Sequence, residues 1–193
     1  SSSGHVRIYR FSGSNWQQLG NDIDGESSGD QSGSSVSLSS DGYTVAIGAQ
    51  YNGGGGGGGL AGHVRIYNYN GSSWNQVGQD IDGEAAGDHF GVSVSISSDG
   101  NILAGGGSTN NGSFGHARVF EWDGTSWIQI GQDIDGDALG DYSGYRTSIN
   151  DNGSILAIGS PFSNGGTGKV KVFEWNGNNW LQIGQDILPD TVE

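Results

Sequence analysis

Nearly the same eight residues occur four times in this chain. Gly4 opens GHVRIYRF, Gly62 opens GHVRIYNY, Gly115 opens GHARVFEW and Gly168 opens GKVKVFEW, at intervals of 58, 53 and 53 residues. Trp16, Trp74, Trp127 and Trp180 keep the same intervals. The five extra residues of the first interval fall at the seven-glycine run Gly53 to Gly59. Each copy reads as four short strands set apart by turn residues. In the second copy, Val64 to Tyr69 make one strand and an Asn70-Gly71 turn follows, with Trp74 to Ile81 as the next. Val92, Val94 and Ile96 then alternate with Ser93, Ser95 and Ser97, the two-residue period of a half-buried strand. Asp99-Gly100 closes a tight hairpin into Ile102 to Gly107. No 3.6-residue apolar period survives beyond one turn, so no helix is expected. Solenoid coils are shorter, roughly 20–45 residues. Four strands in about 53 residues is the arithmetic of a β-propeller blade, and the expected fold class is all-β.

One stretch carries a more specific likeness. DHFGVSVSISSDGNILAGGGSTNNGSFGHARVF, from Asp88, resembles an FG-GAP repeat, the blade unit of integrin-α-type propellers. Phe90-Gly91 match the FG element. Gly48-Ala49 and Gly159-Ser160-Pro161 stand where GAP would fall, while Gly106-Gly107-Ser108 departs from it. Ser32-Gly33 and Ser143-Gly144 occupy the FG position in the other copies. The resemblance implies blades whose innermost strand is the serine-alternating one. In that frame residues 30–83, 88–136 and 141–188 are three complete blades, residues 4–25 the outer half of another, and 189–193 a tail. Three and a half blades do not close a ring, since propellers typically have four to eight. The simplest completion is upstream sequence belonging to a longer propeller. The alternative is an open edge used for self-assembly into an oligomer or filament.

Composition excludes whole classes of function. Seven Lys and Arg face 21 Asp and Glu, a formal charge of -14, which argues against binding nucleic-acid phosphates or an anionic membrane surface. No apolar run approaches the roughly 18 residues of a membrane span, so membrane insertion is not expected. The absence of cysteine removes disulfides, thiolate catalysis and Cys-ligated zinc together. Methionine is absent too, so Ser1 is expected to be a processed or excised start.

Twelve of the 21 acids form three matching sets: Asp22, Asp24, Glu26, Asp30; Asp80, Asp82, Glu84, Asp88; and Asp133, Asp135, Asp137, Asp141. Within each set the acids stand at relative positions 1, 3, 5 and 9. Calcium takes six to eight hard oxygens from such closely spaced carboxylates. The FG-GAP resemblance implies a calcium loop of the same spacing, with two departures. Glycine falls at position 4 (Gly83), and the segment precedes the inner strand instead of lying in the hairpin after it. A purely structural reading stands beside Ca2+: the first acids edge a strand and the last caps a turn.

Arg7, Arg65, Arg118 and Lys171 recur at one strand position and are expected to pair with carboxylates or stack on aromatic rings. His5, His63 and His116 also recur; on separate blades they cannot converge on one metal, and turn hydrogen bonding is their expected use. Arg146 breaks the pattern by replacing Ser35 and Ser93 on the inner strand, which makes it the candidate ligand residue. His89, in place of Gln31 and Tyr142, is likewise single. The tryptophans are expected between blades. The glycine run lacks the helix and lysine of a nucleotide site and reads as a loop. Asn70, Asn111 and Asn152 begin Asn-Gly-Ser sequons permissive for glycosylation.

An enzyme needs one asymmetric constellation, and the repeated residues provide none. The sequence is therefore expected to encode a non-enzymatic, extracellular or cell-surface structural or adhesion module, secreted, whose partner is another protein or itself. A calcium-dependent or carbohydrate-binding, lectin-like recognition module is the alternative. A catalytic reading would need a cleft holding Arg146 or His89 beside a carboxylate with a raised pKa. The inner-strand assignment is testable through Val94→Asp, expected to cost several kcal/mol by placing an unpaired charge in a core. A denaturant melt unchanged from the parent chain would contradict that assignment.

Overall fold

The computed structural model describes residues 2–53 and 59–190, so Ser1, part of the glycine run and the last three residues lie outside the described residues. Four small antiparallel arrays follow one another along the chain. The first contains β1 (His5–Val6), β2 (Tyr9–Phe11), β3 (Trp16–Gln18) and β4 (Ile23–Asp24), paired β1 with β4 and β2 with β3. The second runs in order through β5 (Ser35–Leu38), β6 (Thr44–Ala49), β7 (His63–Tyr69) and β8 (Trp74–Gln76), with β9 (Ile81–Asp82) pairing back on β7. The third repeats that plan in β10 (Phe90–Ile96), β11 (Ile102–Gly107), β12 (His116–Trp122), β13 (Trp127–Gln129) and β14 (Ile134–Asp135). The fourth is β15 (Arg146–Ile149), β16 (Ile155–Ser160), β17 (Lys169–Trp175) and β18 (Trp180–Gln182). The molecule is an all-β, propeller-like stack of antiparallel sheets. Two four-residue helical turns, Asn110–Ser113 and Ser163–Gly166, depart from the expectation of no helix. Each contains an Asn-Gly pair in the left-handed region, so neither continues beyond a turn.

The apolar faces are buried between consecutive sheets. One core joins Ile8, Leu19 and Ile23 of the first array to Val45, Ile47 and Tyr67 of the second. The next joins Val64 and Ile66 to Phe90, Leu103 and Phe120, and a third joins Val119 to Leu156, Phe173 and Trp180. The tryptophans lock these seams. Nε1 of Trp74, Trp127 and Trp180 donates to the carbonyls of Leu19, Val77 and Ile130 in the preceding array, at 2.8, 2.9 and 3.1 Å. Trp127 and Trp180 are buried, whereas Trp16, with no array before it among the described residues, is 69% exposed.

The alternating serines have a role that their pattern alone does not disclose. Ser35 Oγ donates to the Gly91 carbonyl at 2.7 Å, and Ser93 Oγ to the Gly144 carbonyl at 2.8 Å. Ser37 and Ser95 accept from the Ile96 and Ile149 amides, at 3.1 and 2.9 Å. The inner strands are thus stitched sheet to sheet by hydroxyls. Backbones approach so closely there that a Cβ on Gly48 would collide with the Gly91 carbonyl, and one on Gly106 with the Gly144 carbonyl. Gly106→Ala must push two sheets apart and is expected to cost about 2–3 kcal/mol. The matching Gly159→Ala, whose added Cβ would meet only Arg146 at ordinary contact distances, is expected to cost less. Equal losses in parallel urea melts would contradict this seam geometry.

Candidate functional site

The four acids of each repeated segment part company in the fold. Asp30 and Asp88 are buried and cap turns, accepting from the Ser27 and Ala85 amides at 2.8 Å each. Asp22, Asp80 and Asp133 accept from Gln18, Gln76 and Gln129, at 2.8, 2.6 and 2.6 Å. Asp24 and Asp82 present backbone carbonyls to Arg65 and Arg118, at 2.8 and 2.6 Å. Asp135 sits opposite His116 in the β12–β14 pairing. Glu26 and Glu84 lie 3.6 and 3.8 Å from Arg65 and Arg118. Asp137 bonds Lys169 and Lys171, and Lys169 also pairs with Asp141 at 3.1 Å. The first and third acids of one segment face different seams: Asp80 approaches His63, while Glu84 approaches His116 in the next sheet.

The recurring cations sit where charge and aromatic faces meet. Arg7 pairs with Asp22 at 2.7 Å, and its guanidinium holds that carboxyl down to about 2. The Arg118 guanidinium lies 4.2 Å over the Phe90 ring and 5.3 Å over Phe120, and Arg65 lies 5.6 Å over Tyr67. These residues bind the sheets together. The three sequon asparagines are exposed. Asn70 and Asn152 use their Oδ1 atoms inside their own turns, accepting from Ser72 and Ser154 amides at 3.0 and 3.1 Å.

The residues that break the repeat gather instead at one place, between the third and fourth sheets. A cleft of about 450 Å³ is lined by His89, Ser108, Thr109, Tyr142, Tyr145 and Phe162. The turn that carries His89 is itself repeated: Gln31, His89 and Tyr142 all have φ between 53° and 55°, the left-handed region. The backbone of this turn is therefore common to three copies while its side chain differs in each. Phe162 meets Tyr142 edge-on at 5.1 Å and Tyr145 at 6.2 Å, and Tyr51 meets His89 edge-on at 5.0 Å. Burial lowers the His89 pKa below its ordinary value, so the ring is neutral near pH 7.

Tyr145 is also a wall of an adjoining cleft of about 510 Å³, where Arg146 stands with Ser160, Lys169 and Val170. Arg146 lies 4.8 Å over the Tyr145 ring, and its Nη1 donates to the Tyr145 carbonyl at 2.8 Å. Serines at the equivalent positions face the next sheet, so Arg146 projects from the open face of the fourth sheet and remains exposed. Sequence reasoning singled out Arg146 and His89 but missed Tyr142, Tyr145 and Phe162. Their signal was present as departures: Tyr145 stands where Ser34 and Val92 do, and Phe162 where Tyr51 and Thr109 do.

No protein-family model matches the chain, and no curated protein matches its sequence. Solved structures do match its shape. The chain is similar to a candidate 6-phosphogluconolactonase of Bacteroides uniformis, with TM-score 0.68 and 15% identity over 98% of this chain and 50% of that one. A candidate 6-phosphogluconolactonase of Bacteroides fragilis gives TM-score 0.57 and 17% identity over 80% and 38%. The complex of KlAtg21 with the coiled coil of AgAtg16 gives 0.60 and 14% over 95% and 52%. The chain spans about half the length of these structures or less, and at these identities the likeness is one of fold.

These likenesses correct the expectation of a non-enzymatic structural, adhesion or recognition module. Two of the similar structures are candidate lactonases, so chains of this fold are not confined to structural or adhesion roles. The physical reason is that the repeat specifies the seams, while asymmetry enters through the few positions that the seams leave free. Arg146→Ser restores the residue type of the other copies and is expected to change stability by less than about 0.5 kcal/mol. Ser93→Arg forces a charge into a closed seam and is expected to cost about 3 kcal/mol. Thermal melts of the two variants that coincide would contradict the division between seam and cleft.

Proposed function

We propose that the repeats are propeller blades, three complete (30–83, 88–136 and 141–188) and one outer half (4–25). In this reading the His89 cleft hydrolyses a small sugar lactone. The observation that carries it is the convergence of the non-repeating residues His89, Tyr142, Tyr145, Phe162 and Arg146 on two clefts sharing one wall. Aromatic faces suit the C–H-rich faces of a sugar ring. A neutral imidazole can take a proton from water. The resulting hydroxide oxygen bonds to the lactone carbonyl carbon, the ring C–O bond breaks, and the proton passes from His89 to the departing alkoxide, leaving a hydroxy acid. Arg146 supplies the cation for an anionic substituent such as a phosphate. The similarity to candidate 6-phosphogluconolactonases supports this substrate class.

The test is turnover of a panel of sugar lactones, with and without a phosphate, followed by acid release at constant pH. Because burial lowers the His89 pKa, kcat/KM is expected to stay level through neutral pH and to fall only on the acid side of the ordinary histidine range. His89→Gln is expected to lower kcat about 100-fold. Arg146→Ser is expected to raise KM for the phosphorylated lactone more than for the neutral one. Absence of turnover above the uncatalysed rate, or full activity in His89→Gln, would overturn the proposal.

A further inference from the structure

Two seams carry a second arrangement, independent of the His89 cleft. Between the first and second arrays, His63 Nδ1 stands 3.6 Å from Asp80 Oδ2 and 3.9 Å from Glu26 Oε2. Between the second and third sheets, His116 Nδ1 stands 3.7 Å from Asp133 Oδ2 and 3.8 Å from Glu84 Oε2. In each trio the three atoms lie within 4.8 Å of one another. Both rings are buried, His63 at 1% exposure and His116 at 0%, and neither nitrogen of His116 has a hydrogen-bond partner among the described residues.

These separations are too long for N–H···O hydrogen bonds, which lie at about 2.7–3.2 Å. They approach the spacing of two ligands on one ion, since metal bonds of about 2.0–2.2 Å place neighbouring donors about 3–3.6 Å apart. The remaining atoms of the carboxylates are already committed. Asp80 Oδ1 and Asp133 Oδ1 each accept from a glutamine at 2.6 Å, and Glu26 Oε1 and Glu84 Oε1 face Arg65 and Arg118. The second oxygen of each carboxylate faces the imidazole, that of Glu26 while also accepting from Asn52 Nδ2 at 3.5 Å, an outer-shell orientation expected around a metal.

The third seam is the natural control. The spacing Glu84, His116, Asp133 recurs as Asp137, Lys169, Asp186. There the histidine is replaced by a lysine whose ammonium is held by Asp137 and Asp141. Where the imidazole is missing, the chain places a positive charge of its own among the carboxylates.

We propose that His63 with Glu26 and Asp80, and His116 with Glu84 and Asp133, each bind one divalent ion of the zinc class. One imidazole nitrogen with two carboxylate oxygens suits such an ion better than the all-oxygen shell that Ca2+ prefers. Equilibrium dialysis of the intact chain against Zn2+ is expected to give two ions per chain. Glu26→Gln and Glu84→Gln, both at exposed carboxylates that can change without unfolding the chain, are each expected to reduce this to one. The double variant is expected to bind none, with an unchanged circular dichroism spectrum. His63→Gln with His116→Gln is expected to do the same, and Co2+ added to the parent chain is expected to give a visible d–d band that these variants lose. Binding of no Zn2+, two ions retained by the double glutamate variant, or uptake of Ca2+ in preference to Zn2+ would overturn the proposal.

Discussion

Everything in this fold depends on how closely two inner strands can approach. Gly48 against the Gly91 carbonyl, and Gly106 against the Gly144 carbonyl, leave no room for a side chain. That proximity brings Ser35 and Ser93 within hydrogen-bond reach of the opposing backbone, at 2.7 and 2.8 Å. It also seats Phe90 and Trp180 in sealed cores and allows the indole donors to reach the previous sheet. A chain with 39 glycines and few large apolar residues buries modest area per strand. It compensates by repeating the same close contact between the second and third and between the third and fourth sheets, so stability comes from neighbour-to-neighbour terms more than from one central core.

That arrangement explains how a repetitive sequence can still build an asymmetric site. Most residues that meet across a seam recur from copy to copy, with Phe90 in place of Ser32 and Ser143 and Lys169 in place of histidine as departures. Residues on turns at the rim need not recur. His89 shows the distinction: its left-handed turn is shared with Gln31 and Tyr142, yet only the backbone of that turn is needed by the seam. The side chain is free to differ, and there the aromatic and basic residues of the clefts accumulate.

The strands, and the place of Trp74, Trp127 and Trp180 between sheets, were legible in the sequence, since period-2 alternation and turn dipeptides act locally; Trp16 departs from that expectation and is exposed. Pairing of the recurring cations with carboxylates and rings was legible for the same reason: Arg7, Arg65, Arg118 and Lys171 each find an acid nearby. The destinations of the acids were not. Spacing along the chain groups Asp80 with Glu84, but the two straddle a sheet and meet different histidines. Only the register between sheets reveals this. A trace existed nonetheless, because His63 to Asp80 and His116 to Asp133 are both 17 residues, while Glu-to-His spacing differs by the five-residue glycine insertion. The serines were legible as an alternating strand but not as seam donors, so the sequence did not show that Arg146, at an equivalent position, stands on an open sheet face.

The central claim is that recurring residues build the seams and the exceptions build the site. Backbone amide chemical shifts, recorded while the hydroxy-acid phosphate product of lactone hydrolysis is titrated in, test it most directly. The account predicts perturbations confined to the turns around His89, Tyr142, Tyr145, Arg146 and Phe162, with the equivalent positions Gln31, Ser34 and Ser35 unmoved. Equal perturbation at matching positions of every repeat would contradict it, because it would place recognition in the seams themselves.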